Sequence, residues 1–251
     1  MEIEKGKKIF FISDFHLGAP NSKLSFEREK KIINWLNDIK NIAQEIYLMG
    51  DVFDFWFEYK TVVPKGYVRL LGKLAELADS GIPIYCFTGN HDMWMWDYFP
   101  KELGIPIIKE PQIKYFSGKK FLIGHGDGLG PGDNAYKFLK QFFKSKICQW
   151  LFKWIHPDIG IGIANYFSSK SRSANEIPDQ TFLGEEKEWL IVYCKEYLKK
   201  DASIDYFIFG HRHLPLDIQL NEKSRYINLG EWIKSCTYAE FDGENVSLKK
   251  Y

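Results

Sequence analysis

The chain has 251 residues, an apolar content of 45% and a formal net charge of +1. These values are typical of a globular protein, and so small a net charge gives no polycation signature for nucleic acid. The start of the chain holds only a four-residue apolar run, and no stretch reaches the roughly 18–20 apolar residues of a membrane span. We therefore expect a soluble cytoplasmic protein without a nucleic-acid partner.

The first half of the chain alternates strand-like and helix-like stretches. Apolar runs that predict strands occupy residues 8–13, 45–49 and 83–88. Between them, residues 26–40 and 67–79 carry apolar side chains at helical spacing. This order predicts parallel strands with helices packed on the faces of the sheet.

The second half begins with a predicted β-hairpin over residues 112–125 that turns at Gly118. Residues 128–180 are dense in aromatic residues and lysines and lack strand periodicity, which predicts a helical insertion. A helix near residues 181–200 then returns to the main body, and an apolar run at 205–209 precedes short alternating strands. The prediction is a core domain and an inserted cap, with bounds 1–127 plus 181–251 and 128–180.

Five of the apolar runs end in a polar cluster. The clusters are Asp14-Phe15-His16, Gly50-Asp51 with Asp54, Gly89-Asn90-His91-Asp92, Gly124-His125-Gly126-Asp127 and Gly210-His211-Arg212-His213. Ligands bind at the carboxyl ends of strands in open α/β sheets, which is where these clusters lie. On an extended backbone, a spacing of two would turn Asp14 and His16 to one face. Four clusters begin with a glycine, which permits tight turns and close backbone approach.

Carboxylate, amide and imidazole ligands suit Mn²⁺, iron, Zn²⁺ or Ni²⁺ better than Ca²⁺. Two divalent ions carry four positive charges, of which Asp14 and Asp51 neutralise two, so the surplus would attract a phosphate. With the ions about 3.5–4 Å apart, a bridging water would lose its proton near neutral pH and attack phosphorus in line. Each motif alone is common in turns or around structural histidines, but core packing does not explain five of them at strand ends.

In this order, the motifs D-x-H, G-D-x-x-D, G-N-H-D, G-H-x and G-H-x-H resemble those of the calcineurin-like metallophosphoesterases. The resemblance implies an α/β fold, a four-layer α-β-β-α sandwich with a dimetal centre between the strand ends, and here a helical cap insertion. It implies two ligand sets, Asp14, His16, Asp51 and His213 for one metal, and Asp51, Asn90, His125 and His211 for the other. It also implies that His91 is catalytic near the leaving-group oxygen and that Asp54 positions it, although a purely supporting role for His91 stays open.

Within that family, three segments are similar to the pyrophosphatases that act on UDP-2,3-diacylglucosamine in lipid A synthesis. The segments are HGDGLGPGDNAYKFLKQF, SKSRSAN and RYINLGEWIKSCTY. The similarity implies Mn²⁺-dependent cleavage of the diphosphate bond, releasing UMP and the lipid sugar 1-phosphate. It assigns substrate binding to six residues: Asn90, His91, Asp133, Tyr136, Ser171 and Asn175.

The chain departs from the pyrophosphatase pattern at the phosphate contacts. His91 stands where many members carry an arginine, and Ser168 stands where a second arginine is expected. A lysine expected shortly after Asn175 is absent as well. We interpret the chain as a divergent branch that keeps the same substrate.

The insertion gives an independent indication of a lipid. Residues 135–147 place apolar side chains on one predicted helical stripe, and aromatic density continues through residues 148–155 until Pro157. From residue 136 to 167 there are five lysines and one acid. A basic, aromatic, amphipathic segment suits a lipid-linked substrate and an anionic membrane surface, at the inner face of the cytoplasmic membrane. An ordinary helical hairpin packed on the domain would need the same stripe, so both interpretations stay open.

Two other functions also stay open. A phosphoesterase for a soluble nucleotide or another phosphodiester or phosphomonoester would use the same metals without the apolar insertion. An inactive scaffold would share the fold, but such relatives usually lose ligands, and all seven are present here.

Overall fold

The computed structural model describes residues 1–132, 134–175 and 181–251, with the backbone alone for residue 135 and residues 171–175. The first sheet is formed by β1 (Lys8–Ile12), β2 (Ala43–Leu48), β3 (Ile84–Phe87), β4 (Ile107–Ile108), β10 (Thr237–Phe241) and β11 (Val246–Lys250). The second sheet is formed by β5 (Gln112–Phe116), β6 (Lys119–Ile123), β7 (Tyr206–Phe209), β8 (Pro215–Gln219) and β9 (Arg225–Leu229). The helices are α1 (Ser22–Ile39), α2 (Val68–Asp79), α3 (Tyr98–Leu103), α4 (Asn134–Lys144), α5 (Lys146–Lys153), α6 (Pro157–Asn175) and α7 (Trp189–Lys200).

The strand order is β11-β10-β1-β2-β3-β4 in the first sheet and β5-β6-β7-β9-β8 in the second. Strands β1, β2, β3 and β4 are parallel to one another, as are β6, β7 and β9. The five apolar runs that end in polar clusters are therefore β1, β2, β3, β6 and β7. Because neighbouring parallel strands end on the same side, the clusters of each sheet meet at its carboxyl edge.

Alternation along the strands of the first sheet builds two cores. Phe10 and Ile12 of β1 face α1 and α2, where they pack with residues such as Trp35. Ile9 and Phe11, one residue out of phase, face the second sheet. The opposite directions follow from the period of two along a strand.

The remaining layer is α7, which covers the outer face of the second sheet. Its Leu190, Ile191 and Cys194 pack against Phe207 and Phe209 of β7. The layer order is thus helices, sheet, sheet, helix. The predicted four-layer α-β-β-α sandwich with a helical insertion is confirmed.

Two helix boundaries differ from the sequence-based prediction. The helix expected from residue 181 begins only at Trp189, because the backbones of Gly184 (φ 92°) and Glu188 (ψ 103°) are not helical. The helix expected over residues 135–147 ends at Lys144, and Ser145 has an extended backbone that starts α5. The stripe proposed from Ala135 through Phe138, Leu139, Phe142 and Phe143 to Ile147 therefore does not lie on one helix.

The cap helices α4, α5 and α6 rest on the core through an aromatic cluster. Phe143 of α4 and Phe152 of α5 pack on Trp94, with ring centroids 5.6 and 4.8 Å away. Phe152 also contacts Phe57, and the indole N–H of Trp94 donates to the Phe143 carbonyl. The loops after β2 and β3 thereby hold the cap next to the predicted site.

The opposite side of the cap helices is apolar and exposed. Phe138 and Trp154 are each 76% exposed, and Trp150 is 57% exposed. A hairpin packed on the core explains the inner aromatic residues but leaves this outer face uncovered in the described part of the chain. None of the described helices has the combined length and apolarity needed to cross a bilayer.

Candidate metal centre

The seven predicted ligands lie in five loops, each of which directly follows a strand. They are Asp14 and His16 after β1, Asp51 after β2, Asn90 after β3, His125 after β6, and His211 with His213 after β7. The side chains of Asp14, His16 and Asp51 are fully buried. Their position at the carboxyl ends of the strands is the one expected for a ligand site in an α/β fold.

The ligand atoms of these side chains gather into two groups, and within each group all atoms lie within 4.8 Å of one another. The first group is Asp14, His16, Asp51 and His213, and the second is Asp51, His125 and His211. Asn90 joins the second group, since its Oδ1 is 3.2 Å from His125 Nε2. Asp51 belongs to both groups, as a carboxylate shared by two cations would. The structure thus brings all seven residues together, and metal binding by them stays a prediction.

The backbone at these residues is not extended. The prediction that an extended strand turns Asp14 and His16 to one face is therefore wrong. Asp14 has φ 56° and His16 has φ 44°, and Asp51, His211 and His213 also have positive φ. Backbone N–H groups of the loop after β1 bond across to the loop after β2: Asp14 to Gly50 O at 3.0 Å and His16 to Asp51 O at 2.9 Å. Left-handed conformations of this kind cost about 1–3 kcal/mol each and concentrate at functional sites.

Three of the glycines that precede ligands leave no room for a side chain. A Cβ on Gly89 would lie 2.1 Å from Asp51 Oδ1, and one on Gly50 would lie 2.6 Å from His125 Nδ1. A Cβ on Gly210 would lie 2.5 Å from Asp14 Oδ2. The glycines therefore let the backbone of one loop pass directly behind a ligand of another.

We expect Gly89→Ala to disable the site because the new methyl group overlaps the Asp51 carboxylate. Bound metal, measured by inductively coupled plasma mass spectrometry, should fall below half of the wild-type content. Gly72→Ala is the matched control, since a Cβ at Gly72 meets nothing within 4 Å and the residue lies inside α2. The control should keep its metal and gain about 0.5–1 kcal/mol of stability from the better helix former. Full metal content in Gly89→Ala would contradict the geometry.

A hydrogen bond orients the imidazole of His125, and a carboxylate lies behind the imidazole of His16 without hydrogen-bonding to it. His125 Nδ1 lies 2.8 Å from the Met49 carbonyl oxygen, so this nitrogen donates and Nε2 faces Asp51 Oδ2 at 3.3 Å. His16 Nδ1 lies 3.6 Å from Asp54 Oδ1, and its Nε2 faces the first group. Metal-binding histidines are fixed in this way by a carbonyl or a carboxylate behind the ring.

The buried carboxylates of the site have oxygens to which no neighbouring group among the described residues donates a well-aligned hydrogen bond. Within the described part of the chain, Asp14 Oδ1 and Asp51 Oδ2 are buried without a well-aligned hydrogen-bond donor. His16 Nε2 and His213 Nε2 lie 3.0 Å apart, so their lone pairs would repel each other unless a proton or a cation lies between them. Unsatisfied carboxylate oxygens beside converging imidazole nitrogens fit two divalent cations.

Burial and charge shift the titration of these groups in opposite directions. Burial would raise the pKa of Asp51, but the neighbouring His125 holds that pKa well below its usual range. Burial would lower the pKa of His125, but the carboxylate of Asp51 raises it to about 10. Burial lowers the pKa of His91 and the pKa of His211 to about 4. Without a cation, His125 therefore keeps the proton that offsets the buried carboxylates.

His91 and Asp54, the two predicted catalytic residues, lie in contact beside the first group. His91 Nδ1 is 3.0 Å from the Asp54 carbonyl oxygen and 3.8 Å from the Asp54 carboxylate. The His91 ring meets the His16 ring edge to face at 4.8 Å. Ser168 of α6 also reaches His91 Nδ1, at 3.0 Å.

Two buried residues that hold the ligand loops were not predicted from the sequence. Asp92 accepts hydrogen bonds from Gly89 N at 2.7 Å and Val52 N at 2.8 Å, which ties the loop after β3 to the loop after β2. Burial raises the pKa of Asp92 to about 7, and the nearby carboxylate of Asp51 is the second cause of this rise. Asp92 is the final aspartate of the G-N-H-D motif, so the motif itself contained a sequence signal for this role.

Arg212 is the second missed residue, and it lies between His211 and His213 in the sequence. It is buried, and its Nε donates to Glu188 Oε2 at 2.8 Å. This ion pair fixes the loop after β7 against the start of α7. Glu188 lies 24 residues before Arg212, and no local motif indicated the pair.

Of the four residues in the insertion that are predicted to bind substrate, Tyr136 lies next to the predicted metal centre. Its hydroxyl donates to Asp127 Oδ2 at 2.7 Å, and its ring centroid is 6.3 Å from that of His211. Asp133 lies outside the described residues. Ser171 and Asn175 belong to α6, and their side chains lie outside the described part of the chain.

Comparison with known proteins agrees with the fold. The family model of the calcineurin-like phosphoesterases matches residues 7–215. A protein of Porphyromonas gingivalis named UDP-2,3-diacylglucosamine hydrolase is 39% identical, covering 96% of this chain and 97% of its own length. Proteins of the same name from Histophilus somni and Shewanella sp. are 28% and 25% identical, covering 93% and 96% of this chain and 96% of their own lengths.

The family model spans all five motifs, and the P. gingivalis relative covers nearly the whole chain. The matching family, the shared fold and the cluster of carboxylates and imidazoles make the chain a metal-dependent hydrolase of phosphoester or phosphoanhydride bonds. The resemblance inferred from the motifs is confirmed, and the chain belongs to the calcineurin-like phosphoesterase family.

Proposed function

We propose that the chain hydrolyses the diphosphate bond of a UDP-linked 2,3-diacylated glucosamine, releasing UMP and the acylated sugar 1-phosphate. The observation that carries the proposal is the position of an apolar, exposed cap directly beside the cluster of metal ligands. The names of the relatives support the same substrate. A soluble nucleotide would have no use for the apolar face, which disfavours that alternative.

Two divalent cations, which we propose to be Mn²⁺, would be held by the two ligand groups and Asn90. When bound, such ions supply charge stabilisation at phosphorus and a nucleophile available at neutral pH. The mixed oxygen and imidazole set suits Mn²⁺ better than Mg²⁺, which prefers oxygen ligands in strict octahedral geometry. Asp51 would be a ligand of both ions, because its carboxylate lies in both groups.

The chain's own residues would orient the diphosphate. Asn90 and His91 lie on the loop after β3, from which their side chains can reach the phosphate next to the ligand groups. The Asp54 carbonyl fixes the His91 ring through Nδ1. His91 would then face the leaving-group oxygen, where the negative charge of the phosphate would favour the doubly protonated ring, which can stabilise that oxygen or supply it with a proton.

The insertion over residues 128–180 would serve as the cap that binds the acylated sugar. Tyr136 lies beside His211, and we propose that Asp133, Ser171 and Asn175 add contacts to the sugar phosphate. The exposed face of the cap helices would take up the acyl chains and rest on an anionic membrane surface. Lysines on these helices supply the attraction to anionic lipid headgroups. This would place the protein at the inner face of the cytoplasmic membrane.

Purified protein incubated with UDP-2,3-diacylglucosamine and Mn²⁺ should release UMP and the diacyl sugar 1-phosphate, detected by mass spectrometry. Chelation should stop the reaction, because the buried oxygens and imidazoles then lose their cations, and added Mn²⁺ should restore it. Restoration by Mg²⁺ to the same level would argue against the proposed ligand chemistry. Absence of UMP with this substrate would exclude the proposed function.

A further inference from the structure

Ser168 of α6 forms a direct polar link between the cap helices and the catalytic loops. Its Oγ lies 3.0 Å from His91 Nδ1, and the same nitrogen lies 3.0 Å from the Asp54 carbonyl oxygen. A carbonyl oxygen can only accept, so Nδ1 carries a hydrogen, which Ser168 Oγ and Asp54 O share. The His91 ring is thus held at one nitrogen by the core and by the cap together.

The two partners restrict how the ring can turn. Asp54 precedes α2 in the core, whereas Ser168 lies 77 residues after His91 on a separate element. The His16 ring lies edge-on to His91 at an interplanar angle of 89°, which blocks one further side. Because Nδ1 and Nε2 lie on opposite edges of an imidazole, fixing Nδ1 sets the direction of Nε2.

We propose that Ser168 is a positioning residue that holds the His91 ring from the cap side, so that Nε2 points to the reacting phosphate only when α6 lies over the metal centre. The proposal rests on the proposed hydrolysis at this centre. It adds to that function a direct contact between α6, which would hold the lipid, and His91, which would act at the phosphate. A lipid substrate that holds the cap in place would thereby also orient His91.

The test compares Ser168→Ala, Ser168→Thr and the control Ser169→Ala, with kcat and KM measured separately on UDP-2,3-diacylglucosamine. Loss of one hydrogen bond of ordinary strength should lower kcat by about three- to tenfold in Ser168→Ala, with KM within about twofold of wild type. Ser168→Thr keeps the hydroxyl and should recover wild-type kcat to within about twofold. Ser169 is the next residue of α6 and is exposed, so its variant should match wild type.

Three results would overturn the proposal. They are unchanged kcat in Ser168→Ala, an equal loss in Ser169→Ala, and a loss that Ser168→Thr does not recover. Unchanged kcat in Ser168→Ala overturns it even if KM rises, since Ser168 would then shape substrate binding and not the orientation of His91.

A second substrate separates this proposal from the proposed function. Bis(4-nitrophenyl) phosphate with Mn²⁺ places a phosphodiester at the same centre without UDP or acyl chains. If wild type cleaves it but releases no UMP from the lipid substrate, the proposed function fails, and the same kcat pattern among the variants still supports Ser168. Cleavage of neither substrate contradicts both.

Discussion

Replacing Asp51 by alanine is expected to lower kcat by at least about a thousandfold on any substrate. Asp51 is the residue common to both predicted ligand groups, so its loss would remove a ligand from each cation at once. Each cation contributes several kcal/mol of charge stabilisation in enzymes of this kind, and about 4 kcal/mol corresponds to the stated factor. The metal content of the variant, measured on the same samples, should fall below one ion per chain.

The control for Asp51→Ala is Asp97→Ala, which removes an exposed carboxylate whose ion pair with Lys101 is on the surface. Such pairs contribute little to stability, so this variant should keep wild-type turnover and metal content. Near-wild-type turnover in Asp51→Ala would contradict the assignment.

The strain around Asp51 shows why ligand variants should harm function more than folding. Left-handed backbone conformations, which residues other than glycine rarely adopt, occur at five of the predicted ligands. These are Asp14, His16, Asp51, His211 and His213. The hydrogen bonds between the loops after β1 and β2 impose part of this geometry. Bound cations would offset its cost, since any ligand that binds only the folded state stabilises it.

The sequence predicted the fold through the pattern of its apolar runs. Phe10 and Phe11 are adjacent and apolar, and a strand buried on both faces needs such a run. Polar residues directly after five such runs located the site, because parallel strands bring their carboxyl ends together. The same reasoning failed for the backbone of Asp14 and His16, since hydrogen bonds to another loop decide it and no local pattern encodes them.

Contacts between distant segments explain the other differences. Glu188 would suit the first turn of a longer α7, but its backbone is extended where α7 begins, and its carboxylate pairs with the distant Arg212. Ser168 was predicted only to replace an expected arginine, and only the packing of α6 over the loop after β3 brings it to His91. Residues whose role depends on a partner far along the chain are those that sequence patterns did not identify.

The double variant Trp150→Ala/Trp154→Ala is expected to lower kcat/KM on UDP-2,3-diacylglucosamine by roughly a hundredfold. Both indoles are largely exposed, Trp150 on α5 and Trp154 at its C-terminal cap, and their ring centroids lie 6.0 Å apart. They form a surface that acyl chains or a bilayer could cover. Covering an exposed apolar side chain contributes about 1.5 kcal/mol or more, and two such rings account for the stated factor. Turnover of bis(4-nitrophenyl) phosphate should stay within about twofold, because neither ring belongs to the metal centre.

The matched control is Leu24→Ala/Val68→Ala, which removes two exposed apolar side chains from α1 and α2, away from the cap helices. It should leave kcat/KM unchanged on both substrates. Acyl-chain dependence gives the second check, since shortening the chains should reduce the difference between wild type and the tryptophan variant. If wild type turns over long-chain and short-chain substrates equally and the tryptophan variant matches it, the apolar face does not bind lipid. The hydrolase would then act on a soluble phosphoester through the same seven ligands, because the metal centre is complete without the outer surface of the cap.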